Sequence, residues 1–253
     1  LTQASALLLN NERIESSKVL QSINMIQSTS ASYLLMASID GARSNLVLNG
    51  DAQLSKALNL SRYAKARINK IKGIKVVTTE NLENDGVKFI DETKLCINVA
   101  KLNLTGHEVY DLLYKEFSVQ VELGDLYNIL ALISIGTTKE DVDKLIDSLE
   151  SISNIYKKEE KMKVIKTKQI NPIQKLNPRD AFYKDKEMIL IDECVGRISG
   201  ESIMAYPPGI PIVTPGEEIT KEIIDYIKLL KKNNAYLCDM KDKNLDYILV
   251  IKN

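Results

Sequence analysis

Apolar residues recur at helical spacing through the first third of the chain. Between residues 15 and 27 the stripe that predicts an amphipathic helix consists of Val19, Leu20, Ile23 and Ile26. The run STSAS at residues 28–32 interrupts this pattern, because short hydroxyl side chains favour caps and turns. Two further helices are predicted over residues 33–48 and 51–72, and Gly73 stands where a helix C-cap is expected.

From Gly73 onward, strand-like and helix-like patterns alternate. Strands are predicted in four segments, GIKVVTT, TKLCINVA, SVQVEL and YNILALISI. One helix is predicted from the capping-box sequence TGHE to about Phe117, and a second from Thr138, with Asp141 three residues later, to Tyr156. Two strand pairs with two helices predict a small α+β domain whose helices cover one face of a sheet.

A polar, weakly periodic stretch at residues 157–177 is interpreted as a linker. Beyond it the pattern predicts a short helix near residues 178–184, a strand EMILI, a helix over residues 219–232 and a final strand DYILVI. The pattern therefore indicates a third structured region after the linker.

Four of the six prolines lie close together in the segment AYPPGIPIVTPGEEIT, residues 205–220. Each proline fixes φ and removes a backbone donor, so the segment does not suit a central strand. It is predicted to form an extended, rigid rod that ends in Glu217 and Glu218. Two interpretations of these glutamates stay open: they are held as functional carboxylates, or they lie in the first turn of the next helix, where the helix dipole favours acids.

Composition narrows the function classes. Among 253 residues, 44% are hydrophobic, enough to bury a core without disulfides or a metal, and 34 basic residues balance 34 acidic ones. Zero net charge removes the electrostatic argument for a nucleic-acid or membrane partner, and no apolar run approaches the ~20 residues of a membrane span. The three cysteines form no CxxC pair, so neither a metal site nor a disulfide framework is predicted, and a reducing cytoplasm fits best.

Few residues are candidates for chemistry. His107 is the only histidine, lies just inside a predicted helix, and is expected to have a structural or surface role. The sequence contains no GxGxxG, P-loop or GxSxG motif. The densest hydroxyl cluster consists of Ser28, Thr29, Ser30 and Ser32, directly ahead of a predicted helix. It is interpreted either as N-capping, which needs only one hydroxyl, or as an anion site of the kind that binds phosphate.

Taken in order, these motifs resemble the bacterial ornithine/lysine/arginine decarboxylases, in particular the arginine/lysine decarboxylases of Gram-positive bacteria. The family's C-terminal signature is similar to YPPGIPIVTPGEEIT. Its segments after the cofactor-binding lysine resemble LTQASALL and QSTSASYLLMASIDGAR, and its small domain resembles TKLCINV, LTGHEVYDLL and VQVELGDLYNILALISIGTT. The lead-in to its C-terminal domain is similar to NPRDAFY and ECVGRISGES. The resemblance covers essentially the whole chain.

The resemblance implies a fold and a domain organisation, because these decarboxylases are pyridoxal-phosphate enzymes of the aspartate-aminotransferase fold type. The expected fold class is α/β to α+β. It comprises a helical tail of the cofactor-binding large domain (residues 1–50), an aminotransferase-like small α+β domain (residues 51–156), a linker (residues 157–177) and a C-terminal α+β decarboxylase domain (residues 178–253).

The resemblance also implies an activity. The full-length protein would decarboxylate arginine, lysine or ornithine with pyridoxal phosphate as the electron sink, in polyamine biosynthesis, as a homodimer or higher homo-oligomer. By similarity, Ser28, Thr29 and Ser30 would contact the phosphate of the cofactor bound to the other subunit. Glu217 would pair with the distal cation of the basic amino acid. Ala31 departs from the family by replacing a proline.

The family's Schiff-base lysine would lie upstream of Leu1, so no catalytic residue is assigned within this chain. The chain is interpreted as a fragment of a longer protein and is expected to be inactive by itself. Two alternatives stay open: a non-catalytic dimerisation or regulatory module derived from the same fold, and an enzyme of this fold type with another reaction, such as an aminotransferase. The choice among arginine, lysine and ornithine also stays open.

Overall fold

The computed structural model describes residues 1, 4–10, 13–78, 89–156, 170–206, 209–233 and 235–252. The chain divides into two compact units, Leu1–Lys56 and Ala57–Asn253. Most of the predicted linker, together with Pro207 and Pro208, lies outside the described residues.

Two helices dominate the start of the chain. Helix α1 spans Ser16–Ile26 and confirms the first predicted helix, whereas α2 is one continuous helix over Tyr33–Ile68. The predicted break near residues 49–50 is wrong. A single glycine inside a helix costs only about 1 kcal/mol relative to alanine. Side-chain amides also bridge the glycine: Asn45 accepts from Asn49 at 3.0 Å and donates to Gln53 at 2.9 Å.

The apolar stripe of α1 predicts the helix correctly but not its burial. No residue of α1 is buried, and the side chains of Leu20 and Ile26 are 58% and 82% exposed. Val19 and Ile23 are half-buried. Periodicity reports which face of a helix is apolar, and it does not report what covers that face.

A four-stranded antiparallel sheet forms the first part of the second unit. Its strands are β1 (Lys75–Val76), β2 (Lys94–Asn98), β3 (Leu123–Gly124) and β4 (Asn128–Leu132), in the order β1-β2-β4-β3. The pairs Leu95–Ala131 and Ile97–Ile129 are buried on one face. The segment SVQVEL enters the sheet only at Leu123, so that predicted strand is shorter than its pattern suggested.

Helices α3 (Gly106–Phe117) and α4 (Lys139–Tyr156) pack with this sheet in one core, together with residues 57–68 of α2. A 3-10 turn spans Ala100–Leu102. Both predicted caps are confirmed. The Thr105 side chain accepts from the Glu108 N–H while the Glu108 carboxylate accepts from the Thr105 N–H, and Thr138 and Asp141 make the same reciprocal pair.

The remainder of the second unit has its own hydrophobic core. Its elements are α5 (Pro178–Tyr183), β5 (Lys186–Leu190), a 3-10 turn (Ile191–Glu193), β6 (Ile203–Ala205), β7 (Ile210–Val213), α6 (Lys221–Lys232), β8 (Leu237–Cys238) and β9 (Tyr247–Ile251). Strand β5 pairs with β9, and a second sheet has the order β7-β6-β8, all antiparallel.

The proline-rich segment is a hairpin, so the predicted rod is wrong. Ala205 pairs with Ile210, and the Gly209 N–H donates to the Ala205 carbonyl at 2.9 Å. Gly209 has φ +85°, a value that glycine adopts without strain and that lets the chain reverse. Pro211 lies in β7, the outer strand of its sheet, which is where a residue without an N–H is tolerated.

Candidate functional site

Glu217 closes a tight turn at the end of the proline-rich segment. The Glu217 N–H donates to the Thr214 carbonyl at 3.1 Å, and its carboxylate Oε2 accepts from the Thr214 N–H at 2.7 Å. Pro215 and Gly216 occupy the two central positions, and Gly216 has φ +96°, the arrangement of a type II turn. A Cβ on Gly216 would lie 2.3 Å from the Leu176 carbonyl oxygen. The turn therefore requires glycine at this position for both conformation and space.

One flank of the turn is fixed by the segment before α5. The Gly216 carbonyl accepts from the N–H groups of Lys175 and Leu176 at 2.9 and 3.0 Å, and the Glu218 N–H donates to the Ile173 carbonyl at 2.8 Å. Gln174 thereby pairs with Glu217 as an isolated antiparallel bridge.

The other flank is fixed by the segment before β6. The Ser199 N–H donates to the Glu217 carbonyl at 2.8 Å, and the Gly216 N–H donates to the Ser199 carbonyl at 2.9 Å. The backbone around Glu217 is therefore hydrogen-bonded on both sides. These bonds hold the residue in place, a role that the sequence had assigned to the prolines.

Glu217 and Glu218 have different environments because successive residues of extended chain point to opposite faces. The Glu218 carboxylate forms an ion pair with Lys175, Nζ to Oε2 3.0 Å. Among the described residues, no cation lies within 4.0 Å of the half-buried Glu217 carboxylate. Helix α6 begins at Lys221 and is capped by the Thr220 hydroxyl, so the interpretation that placed these glutamates in its first turn is wrong.

Glu201 supports this region and was not predicted. Its side chain is buried, with Oε2 accepting from the Lys241 N–H at 2.6 Å and Oε1 from the Leu249 N–H at 2.7 Å. The Ser199 hydroxyl donates to the Glu201 carbonyl at 2.7 Å. Because both partners of the carboxylate are backbone groups 40 and 48 residues further along the chain, no local sequence signal could have revealed this role.

Arg197 is a second supporting residue that the sequence did not reveal. Its guanidinium donates to the Glu187 carboxylate and to the Ile251 carbonyl, both at 2.8 Å. These bonds join the segment beside Glu217 to the β5–β9 pair. The buried Arg197 Nε has no hydrogen-bond partner among the described residues.

The hydroxyl cluster lies between α1 and α2, in the first unit. Ser28, Thr29 and Ser30 are exposed, and none of their hydroxyls makes a hydrogen bond to another described residue. Ser32 is closer to the helix, and its carbonyl accepts from the Met36 N–H at 3.0 Å. The first turn of α2 carries no acidic side chain. Within the described residues, none of these three hydroxyls therefore caps a helix, and no acidic side chain in the first turn of α2 opposes an anion there.

The remaining candidates have structural environments. His107 is half-buried in α3, and its backbone N–H donates to the Asp125 carbonyl at 3.1 Å. Burial lowers the pKa of its imidazole. All three cysteines are free thiols, and burial raises the pKa of Cys194 to about 11. Within the described ranges no cluster of three or more potential metal-ligating side chains occurs. No helix in the part of the chain that the structure describes is long and apolar enough to span a bilayer.

Two family models match this chain. Residues 1–141 match the family model for the Orn/Lys/Arg decarboxylase major domain, and residues 159–238 match the model for the Orn/Lys/Arg decarboxylase C-terminal domain. The arginine decarboxylase of Bacillus subtilis (strain 168) is 38% identical and that of Bacillus anthracis 36% identical, each over 100% of this chain and 52% of the relative. The chain thus spans about half the length of these relatives.

Solved structures share the fold. The lysine decarboxylase LdcF of Francisella novicida superimposes with a TM-score of 0.75 at 20% identity, over 94% of this chain and 46% of that protein. The constitutive lysine decarboxylase of E. coli gives a TM-score of 0.73 at 18% identity, over 95% and 46%. The family model that matches the first 141 residues covers more than half of the chain. The chain therefore belongs to the Orn/Lys/Arg decarboxylase family.

Proposed function

We propose that the full-length protein is a pyridoxal-phosphate-dependent decarboxylase of basic amino acids, with arginine as its preferred substrate. The name of the similar Bacillus proteins supports arginine. The observation that carries the proposal is the Glu217 carboxylate, which is fixed through its backbone on both sides and has no cationic partner among the described residues. A carboxylate held in this way is suited to pair with the distal cation of a basic substrate.

In the proposed reaction the bond between Cα and the carboxylate breaks, CO2 leaves, and a proton takes its place on Cα. Pyridoxal phosphate, when bound, supplies the sink for the electron pair left at Cα. The residues of this chain would bind and orient. Glu217 would hold the distal end of the substrate, and Ser28, Thr29 and Ser30 would donate hydrogen bonds to the cofactor phosphate of the other subunit of a homodimer.

The domain organisation is part of the proposal. Residues 1–50 would complete the cofactor-binding domain, residues 51–156 would form the small domain, residues 157–177 the linker and residues 178–253 the C-terminal domain. The lysine that binds the cofactor would come from outside the 253 residues, so the chain by itself would be inactive. We place the enzyme in the cytoplasm, in polyamine biosynthesis.

The test is to purify the full-length gene product with pyridoxal phosphate and to measure CO2 release from arginine, lysine and ornithine. We expect release from arginine at the highest kcat/KM. Glu217→Gln removes the charge at nearly constant size and should raise KM at least about tenfold, since a hydrogen bond to a charged group is worth about 1.5–3 kcal/mol. Glu218→Gln, which removes the carboxylate on the opposite face, is the matched control and should leave KM within about twofold.

Two results would contradict the proposal. If no amino acid releases CO2 while the protein is folded and dimeric, a non-catalytic dimerisation module is the better description. If CO2 is released and Glu217→Gln has the same KM as Glu218→Gln, the decarboxylase activity stands and the role of Glu217 is wrong.

A further inference from the structure

We propose that Gln174 and Glu217 together form an acceptor pair that selects a guanidinium group over a primary ammonium group at the distal end of the substrate. This inference rests on the proposed function and adds to it a specificity residue, Gln174. It follows from the backbone pairing of the segment before α5 with the turn that holds Glu217.

The pairing places the two side chains next to each other. The hydrogen bonds join the residues on either side of the pair, Glu218 N–H to Ile173 carbonyl and Lys175 N–H to Gly216 carbonyl. Gln174 and Glu217 are therefore a non-hydrogen-bonded antiparallel pair. In such a pair the Cα atoms are only about 4.5 Å apart and the side chains project from the same face.

The orientation of the Gln174 amide leaves an acceptor available. Its Nε2 donates to the Leu176 carbonyl at 3.1 Å. A carbonyl oxygen can only accept, so the amide end that contacts Leu176 must be the nitrogen, and the Gln174 carbonyl oxygen is the end left to accept. The Glu217 carboxylate likewise uses only Oε2, on the Thr214 N–H, in its bonds to described residues.

Of the two neighbouring glutamates, only Glu217 keeps an unpaired charge among the described residues. Lys175 and Glu218 pair with each other on the opposite face, which neutralises the second glutamate. The pair Gln174–Glu217 thus offers one anionic and one neutral acceptor side by side, with Gln174 exposed and Glu217 half-buried.

This arrangement matches a guanidinium better than an ammonium. A guanidinium presents five N–H donors in a planar fork, so it can reach two adjacent acceptors on different residues at once. An ammonium is a compact, strongly hydrated charge that gains most from the carboxylate and little from a neutral amide oxygen beside it. The pair should therefore discriminate arginine from lysine and ornithine.

The experiment compares full-length wild-type enzyme with Gln174→Met, which keeps the length of the side chain and removes its acceptor. The measured quantity is the ratio of kcat/KM for arginine to kcat/KM for lysine. We expect Gln174→Met to lower this ratio about tenfold, because one hydrogen bond to a charged group is lost with arginine only. Glu218→Gln, from the opposite face of the same segment, serves as the control and should leave the ratio within about twofold.

A ratio measured within one preparation is independent of how much of the enzyme is folded, so a loss of stability cannot imitate the expected result. An unchanged ratio in Gln174→Met, alongside a raised KM in Glu217→Gln, overturns this inference and leaves the proposed function standing. No CO2 release from any amino acid by the wild-type enzyme overturns both.

Discussion

Replacing Gly216 by alanine tests whether the turn beside Leu176 fixes the position of Glu217. Gly216 has φ +96°, and a Cβ there would meet the Leu176 carbonyl oxygen at 2.3 Å. Gly196, in the same C-terminal region, is a matched control because it has φ +84° and no atom within 4 Å of its Cβ position. Both alanine variants place a side chain at positive φ and so share that conformational penalty. Only in Gly216→Ala does the added Cβ collide with a neighbouring atom.

The magnitudes follow from the contacts. A non-glycine residue at positive φ costs about 1–2 kcal/mol, and this is the whole cost expected for Gly196→Ala. In Gly216→Ala the collision forces the turn away from Leu176, and the Gly216 carbonyl then loses two hydrogen bonds, from Lys175 and Leu176. At about 1 kcal/mol each, these add about 2 kcal/mol to the conformational penalty.

Hydrogen exchange, followed by mass spectrometry on the full-length protein, measures this difference in local stability at the segment that bonds to the Gly216 carbonyl. The amides of Lys175 and Leu176 should exchange about 30-fold faster in Gly216→Ala than in Gly196→Ala, because each 1.4 kcal/mol is a factor of ten. KM for arginine should rise in Gly216→Ala and stay near wild type in Gly196→Ala. Equal acceleration of exchange in the two variants would refute the claim that this turn is anchored on Leu176.

Two further predictions concern titratable groups. Burial raises the pKa of Cys194 from its ordinary 9.0 to about 11, so the thiolate fraction at pH 8 falls about 100-fold. Iodoacetamide should alkylate Cys194 at least about 100-fold more slowly in the folded protein than in urea, measured by peptide mass spectrometry, and equal rates would contradict its burial. The N–H groups of Tyr247 and Asn244 lower the pKa of Asp242 below its ordinary 3.8. The ionised Asp242 carboxylate therefore makes its full contribution to the free energy of unfolding above about pH 4. This contribution is lost as the pH falls through the lowered pKa. The difference in thermal midpoint between wild type and Asp242→Asn should therefore shrink from pH 7 to pH 3, and a constant difference would argue against this role.

Helix starts could be predicted where the signal is local. The Thr105–Glu108 and Thr138–Asp141 pairs satisfy each other within one turn of chain, so their sequence spacing is sufficient. The break predicted near Gly50 failed for the complementary reason. The propensity of one glycine is small, and the side-chain bond between Asn45 and Gln53 spans it.

The candidate site could be predicted only in part. The sequence singled out Glu217 and Glu218 together, and the Pro-Gly dipeptide before them is itself a turn signal. The difference between the two glutamates depends on Lys175, which lies more than 40 residues earlier and neutralises only Glu218. Gln174 gave no signal of its own, because its importance comes from the residue opposite it.

By itself, the sequence determined the family resemblance, the helices with local caps, the main strands and the pair of glutamates that end the proline-rich segment. Only the tertiary structure decided that this segment is a hairpin, that Glu217 faces Gln174 while Glu218 faces Lys175, and that a buried Glu201 supports them. The physical reason is the sequence separation over which each interaction acts. Caps and periodicity act within a few residues, whereas charge neutralisation and cross-strand pairing depend on segments that folding brings together.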